Sequence, residues 1–208
     1  MDDSNIAKKK NYRLGALRIF DGVFSEENCD DLVNVFKLNL DLHKTVAEEN
    51  GLTATGYEYT RYHFEEDFHN GIVEQVARLY SKYLEELEIP NLIAHQGMEE
   101  LLITRYRANT DESYAGHIDV MDNSDAIRAV AFRIYLSDND LGYTEFPRQA
   151  CGVEPRKGRA VVFPPTWEYP YQCKNDPNRD KYILSTFLHY AEKPETQENQ
   201  EEETPEKG

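Results

Sequence analysis

From Met98 onward the chain is built of short runs of β-branched and aromatic residues separated by turn residues, and this pattern constrains the fold more than any other. The best strand candidates are Leu101 to Tyr106, Ala129 to Leu136, Tyr143 to Phe146, Arg159 to Phe163 and Tyr182 to Tyr190. Runs this short bury themselves only by stacking two sheets face to face or by closing one sheet. The half before Met98 reads differently. Leu14 to Phe24 alternates as a strand would and leads to Ser25, a helix N-cap, after which Leu32, Val33, Val35, Phe36 and Leu38 recur at helical spacing. Thr53 to Phe64 reads as extended, and Ile72, Val73, Val76, Leu79, Tyr80, Tyr83, Leu84 and Leu87 mark an amphipathic helix that Pro90 closes. Helices mainly in 25–90 followed by many strands predict an α+β chain whose second half is a sandwich or jelly roll.

The domain expectation is a flexible N-terminus over 1–13, a single domain over 14–191, and a tail over 192–208. That tail is nearly all Glu, Gln, Thr, Pro and Lys, too polar to bury itself, and is expected to be disordered. The formal net charge of −16 argues against a nucleic-acid partner, which needs a basic face to displace counterions, and against anionic membranes. The first ten residues hold no apolar core of the signal-peptide kind, and no later run approaches a membrane span, so a cytoplasmic location is expected. Cys29, Cys151 and Cys173 lack paired metal-ligand spacing and are expected to be free thiols.

The chemistry concentrates in the stretch from Tyr106 to Asp119. Residues two apart on a strand share a face, so His117 and Asp119 can point at one cation. One imidazole and one carboxylate with open positions suit a non-haem Fe(II) that must also accept substrate and dioxygen. A third ligand has to come from elsewhere.

The ordered set of motifs resembles the Fe(II)- and 2-oxoglutarate-dependent dioxygenases, in particular their prolyl-hydroxylase-like branch. The resemblance runs from about Leu14 to Tyr190 and is closest after Met98. It rests on Tyr106 with its following Asn109, His117-Ile-Asp119, Arg133-Ile-Tyr-Leu-Ser-Asp138, Leu141-Gly-Tyr-Thr-Glu-Phe-Pro147, Val153 to Trp167, and Lys181 to Phe187. It implies a double-stranded β-helix (jelly-roll) core with N-terminal supporting helices. It also implies Fe(II) and 2-oxoglutarate as cofactors, with ascorbate as an accessory. His117 and Asp119 would be catalytic iron ligands, and Lys181, Tyr106 and Tyr135 would hold 2-oxoglutarate. The implied reaction is oxidative decarboxylation of 2-oxoglutarate coupled to hydroxylation of a side chain. The substrate would be a peptide, a protein or a small molecule, with a prolyl side chain favoured.

The sequence departs from this pattern at one decisive place. Where the family carries its last histidine ligand, four residues after the Trp, this chain has Tyr171, with Lys181 kept in register ten residues on. Cys173 and Leu141 replace glycines of the pattern. Three readings follow: Tyr171 ligates iron through its phenol oxygen, water takes the place, or the site is vestigial. The last makes the chain a catalytically impaired binding module on the same fold. His189 shares the face of Lys181 but lies on the order of 26 Å along the strand, too far to substitute, while His63, His69 and His95 stay open. Arg133 shares a strand face with Tyr135, which makes it either a second basic residue near the pocket or an ordinary edge-strand arginine. Tyr114 and Trp167 read as core or pocket-wall aromatics.

Overall fold

The computed structural model describes residues 14–46, 54–59, 66–89, 95–110, 112 and 114–191. The expectations for 1–13, for the tail from 192, for His63, for Pro90 and for the side chains of His95 and Tyr114 lie outside the described residues.

Among the described residues, two α-helices support the sheets. Helix α1 (Glu26–Leu38) starts where Ser25 accepts the Asn28 N–H at 3.1 Å, and Glu26 and Glu27 complement its N-terminal dipole. It buries Cys29, Leu32, Val33 and Phe36. Helix α2 (Glu66–Glu86) buries Ile72, Val76, Leu79, Tyr80, Tyr83 and Leu84, the stripe that the sequence spacing marks. Neither is long and apolar enough to cross a membrane.

The described strands are β1 (Arg18–Phe20), β2 (Lys44–Val46), β3 (Ala54–Tyr59), β4 (His95–Met98), β5 (Leu101–Tyr106), β6 (Tyr114–His117), β7 (Arg128–Tyr135), β8 (Thr144–Phe146), β9 (Cys151–Val153), β10 (Ala160–Phe163), β11 (Tyr171–Cys173) and β12 (Lys181–Tyr190). They form two antiparallel sheets. The larger runs β1-β10-β7-β12-β5-β3-β2 with β4 also on β12, and the smaller runs β6-β11-β8-β9. This is the expected jelly roll with helices on one side. The strand expected over Leu14 to Phe24 shrinks to Arg18–Phe20, because turns occupy both flanks.

Strand alternation divides the core in two. Val130, Phe132 and Ile134 of β7, Leu184 and Leu188 of β12 and Ile103 of β5 face the helices. Ala131 and Tyr135 of β7, Ile183 of β12, Tyr106 of β5 and Val161 and Phe163 of β10 face the smaller sheet and meet Phe146, Tyr171 and Cys173 there. Arg133 sits between Ala131 and Tyr135 on that inner face, and β7 is flanked on both sides, pairing Arg133 with Val161 of β10 and with Ser185 of β12. It is therefore no edge-strand arginine. Its residue is 7% exposed.

The turn into β10 requires a glycine. Gly158 has φ +79°, donates to the Tyr135 carbonyl at 2.9 Å and accepts from the Val23 N–H at 2.8 Å. A Cβ there would stand 2.3 Å from the Phe24 carbonyl oxygen. Gly158→Ala combines a left-handed backbone penalty with a backbone displacement, and should lower stability by about 2–4 kcal/mol in urea unfolding.

Cys29 and Cys173 are buried and Cys151 is half-buried, all as free thiols, as expected from their spacing. Burial pushes the Cys29 thiol up to about 11, so it behaves as a small apolar side chain.

Candidate active site

The smaller sheet brings the expected ligands together. β11 lies antiparallel to β6 with Tyr171 directly opposite His117, and their rings are 4.3 Å apart. His117 ends β6, and Asp119 follows in the bend, with its Oδ1 3.5 Å from His117 Nε2. Tyr171 donates its hydroxyl to the same Oδ1 at 2.9 Å. So Tyr171, distant in sequence, joins His117 and Asp119 around one point.

A guanidinium faces the same point. Arg133 Nη2 donates to Asp119 Oδ2 at 3.0 Å and to the Tyr171 hydroxyl at 2.9 Å, and Nη1 donates to the Phe132 carbonyl at 3.0 Å. The Arg133 and Asp119 side chains are 8% and 9% exposed. Burial alone would raise the Asp119 carboxyl, but Arg133, His117 and Tyr171 hold it below the usual carboxylate range. Burial likewise works against the Arg133 charge, and the Tyr171 oxygen and Asp119 more than offset it. The Tyr171 phenol moves well above its ordinary value, chiefly through burial, with Asp119 adding to the rise and Arg133 opposing it. It keeps its proton and spends it on Asp119.

The donor set can be tested against Fe(II) on these contacts. The spacings among His117, Asp119 and Tyr171 are compatible with ligands around one ion, at roughly 2 Å from each. The charge is not. A metal on the Asp119 oxygens would sit against a permanently protonated guanidinium that already holds Oδ2 at 3.0 Å. Among the described residues, no group of three or more His, Cys, Asp or Glu side chains is placed to hold a metal ion. As the side chains stand, the site does not fit iron.

The residues expected to hold 2-oxoglutarate divide. Tyr106 lines a cavity of about 290 Å³ together with Thr104, Asp119, Arg133, Tyr171 and Phe187. Lys181 does not line it. Its ammonium is wholly buried and donates to the carbonyls of Gly142, at 3.0 Å, and of Lys174, and it stands 4.4 Å from the centre of the Tyr106 ring. Burial lowers its pKa. A Cβ on Gly142 would stand 3.3 Å from Lys181 Cδ, so the small residue lets the loop close over the lysine stem. Tyr135 is also absent from the cavity wall: it is fully buried in the inter-sheet core, and burial raises its phenol.

The rim is a second ion-pair cluster. Arg128 Nε donates to Glu99 Oε1 at 2.7 Å and its Nη1 to the Asp119 backbone carbonyl at 2.8 Å, while His189 Nε2 is 2.8 Å from Glu99 Oε1. His189 therefore belongs to the far end of β12 and not to the Asp119 site, as its distance along the strand requires. Phe187 lies between two cations, with the Arg128 and Arg133 guanidinium carbons 4.3 and 4.8 Å from its ring centre. Trp167 departs from the core or pocket-wall expectation. It is 63% exposed, with the Arg148 guanidinium 5.2 Å from its ring centre.

Of the two sequence readings of Arg133, the fold bears out the one beside the pocket, and the sequence carries a signal for it: one charged residue at inward parity in an otherwise apolar strand, Ala129-Val-Ala-Phe-Arg-Ile-Tyr-Leu136.

No protein-family profile matches the sequence, and neither does any curated protein. Solved structures do match. The viral collagen prolyl hydroxylase of Paramecium bursaria Chlorella virus-1, in its 2OG complex, is 16% identical, with 89% of this chain and 99% of that one covered and a TM-score of 0.63. A prolyl-4-hydroxylase of Pseudomonas putida is 13% identical, with 91% and 97% covered and a TM-score of 0.68. A prolyl hydroxylase of Trichoplax adhaerens, in complex with a hypoxia-inducible-factor oxygen-degradation-domain peptide, is 13% identical, with 85% and 84% covered and a TM-score of 0.65. The chain has the jelly-roll fold of these prolyl hydroxylases.

Proposed function

We propose that this chain is a binding module on the dioxygenase fold that takes a peptide or small-molecule ligand in its inner cavity without oxidising it. One observation carries the reading: Arg133 Nη2 bonds both Asp119 and Tyr171, two of the three side chains that would have to hold iron. The cavity supports the binding half. Guanidinium donors, carboxylate acceptors and the hydroxyls of Thr104, Tyr106 and Ser185 surround the apolar Leu102, Ile183 and Phe187, a wall that hydrogen-bonds and packs at once. A ligand of peptide type suits that mixture, and the Trichoplax adhaerens neighbour is in complex with a peptide fragment.

The oxygenase implied by the resemblance would need Fe(II) on His117 and Asp119 and the distal carboxylate of 2-oxoglutarate on Lys181. Both demands compete with bonds already made, by Arg133 at one end and by two backbone carbonyls at the other. The test is anaerobic reconstitution with Fe(II), 2-oxoglutarate and ascorbate, followed by admission of air and measurement of succinate. The expected yield does not exceed that of the protein-free control. Iron-dependent succinate formation that disappears in Asp119→Ala would overturn this reading in favour of the oxygenase.

A further inference from the structure

We infer that the Arg133 guanidinium is the built-in cation of this site, and that Arg133 rather than the tyrosine at 171 is what excludes a divalent metal. The inference rests on the iron-free reading above but goes beyond it, because it assigns the exclusion to one residue outside the expected ligand set.

The argument is one of geometry and charge. The guanidinium is bonded to the second Asp119 oxygen and to the Tyr171 hydroxyl, while that hydroxyl takes the first Asp119 oxygen. The carboxylate is thus closed on both oxygens by a cation and by a neutral donor that the same cation orients. A divalent ion would have to take Asp119 from a partner that is itself positive, tethered, and unable to lose its charge. Arg133 is braced on the cavity wall that it lines. Its strand is flanked on both sides, its inner-face neighbours are Ala131 and Tyr135, and its planar group packs against Phe187 at 4.8 Å and Tyr171 at 5.6 Å. Swinging it out would empty a core position and strip a charged group of its hydrogen bonds. Exchanging Tyr171 for a better ligand changes none of this, because the guanidinium still holds Asp119 Oδ2.

The two candidate causes separate in a set of four proteins: wild type, Tyr171→His, Arg133→Met, and the Arg133→Met/Tyr171→His pair. Co(II) is the probe, followed by equilibrium dialysis and by its visible ligand-field bands. Wild type and Tyr171→His are expected to bind Co(II) no better than a non-specific control. The paired variant is expected to take up about one Co(II) per chain, more than about 100-fold tighter than Tyr171→His alone. Tight stoichiometric binding by Tyr171→His alone would overturn the inference and leave the iron-free reading of the natural chain intact. Tight binding by the wild type would overturn both. A folded pair that fails to bind would overturn the inference as well.

Folding of each variant is checked by thermal melting, and Arg133→Gln, which keeps hydrogen-bonding capacity without charge, stands in if the Met variant does not fold. The wild type offers an independent readout. The Arg133 side-chain N–H resonances are expected to be visible and slow to exchange with water, and unmoved by added Co(II). Rapid exchange, or a paramagnetic shift that saturates at one equivalent, would overturn the inference without any substitution.

Discussion

Asp119→Asn should lower the unfolding free energy by about 3–5 kcal/mol, an effect on stability rather than only on activity. The substitution keeps the shape and leaves Tyr171 an acceptor, but it removes the charge that faces Arg133 Nη2 at 3.0 Å. A guanidinium that is 8% exposed and cannot deprotonate is then buried without a counter-charge. Where an acid at this place serves only as a metal ligand, its loss costs the metal and relieves a buried charge, so the metal-free fold changes little. Urea unfolding followed by far-UV circular dichroism distinguishes the two cases: a shifted midpoint at unchanged slope marks lost stability. A midpoint within experimental error of wild type would remove the ion pair from the account of this site.

How much of this was legible beforehand follows from what each signal depends on. The helices were readable because burial of Leu32, Val33 and Phe36, or of Ile72, Val76 and Tyr83, repeats at the helical period and needs no partner to be named. The strands β5, β7, β10 and β12 were readable within a residue or so, because most of their residues on both faces are buried and they appear as runs rich in β-branched, aliphatic and aromatic residues. The three-residue strands β9 and β11 were not, since Cys151–Val153 and Tyr171–Cys173 are defined by what they pair with. The pairing of His117 with Asp119 was readable from their spacing, the place of Tyr171 beside them was implied by the family resemblance, and the three stand together in the fold. What those residues do there was less accessible. The side chain that decides the matter comes from β7, in the opposite sheet, and strand parity gave it the right face but not the partner across the gap. Lys181 shows the same limit: its place in sequence fits an anion-holding role, whereas its bonds to Gly142 and Lys174 depend on how two loops close.

Replacing both members of the pair should recover most of what either single replacement loses. Arg133→Met alone leaves the buried carboxylate without its closest cation, facing Tyr171 and His117, and is expected to cost about as much as Asp119→Asn, roughly 3–5 kcal/mol. In Arg133→Met/Asp119→Asn no buried charge is left to compensate. The Met side chain follows the aliphatic stem of the arginine toward Phe187, where a thioether packs well against the ring, and the Asn carbonyl still accepts from Tyr171. The pair is therefore expected within about 1–2 kcal/mol of wild type, so the coupling between positions 119 and 133 amounts to several kcal/mol. A double-mutant cycle in urea measures it directly. Costs that simply add would mean that the guanidinium and the carboxylate act independently, each bound to its own surroundings. A large coupling would mean that charge balance, not bound metal, closes the centre of this jelly roll, because the energy would reside in a pair that the chain supplies from its own two sheets.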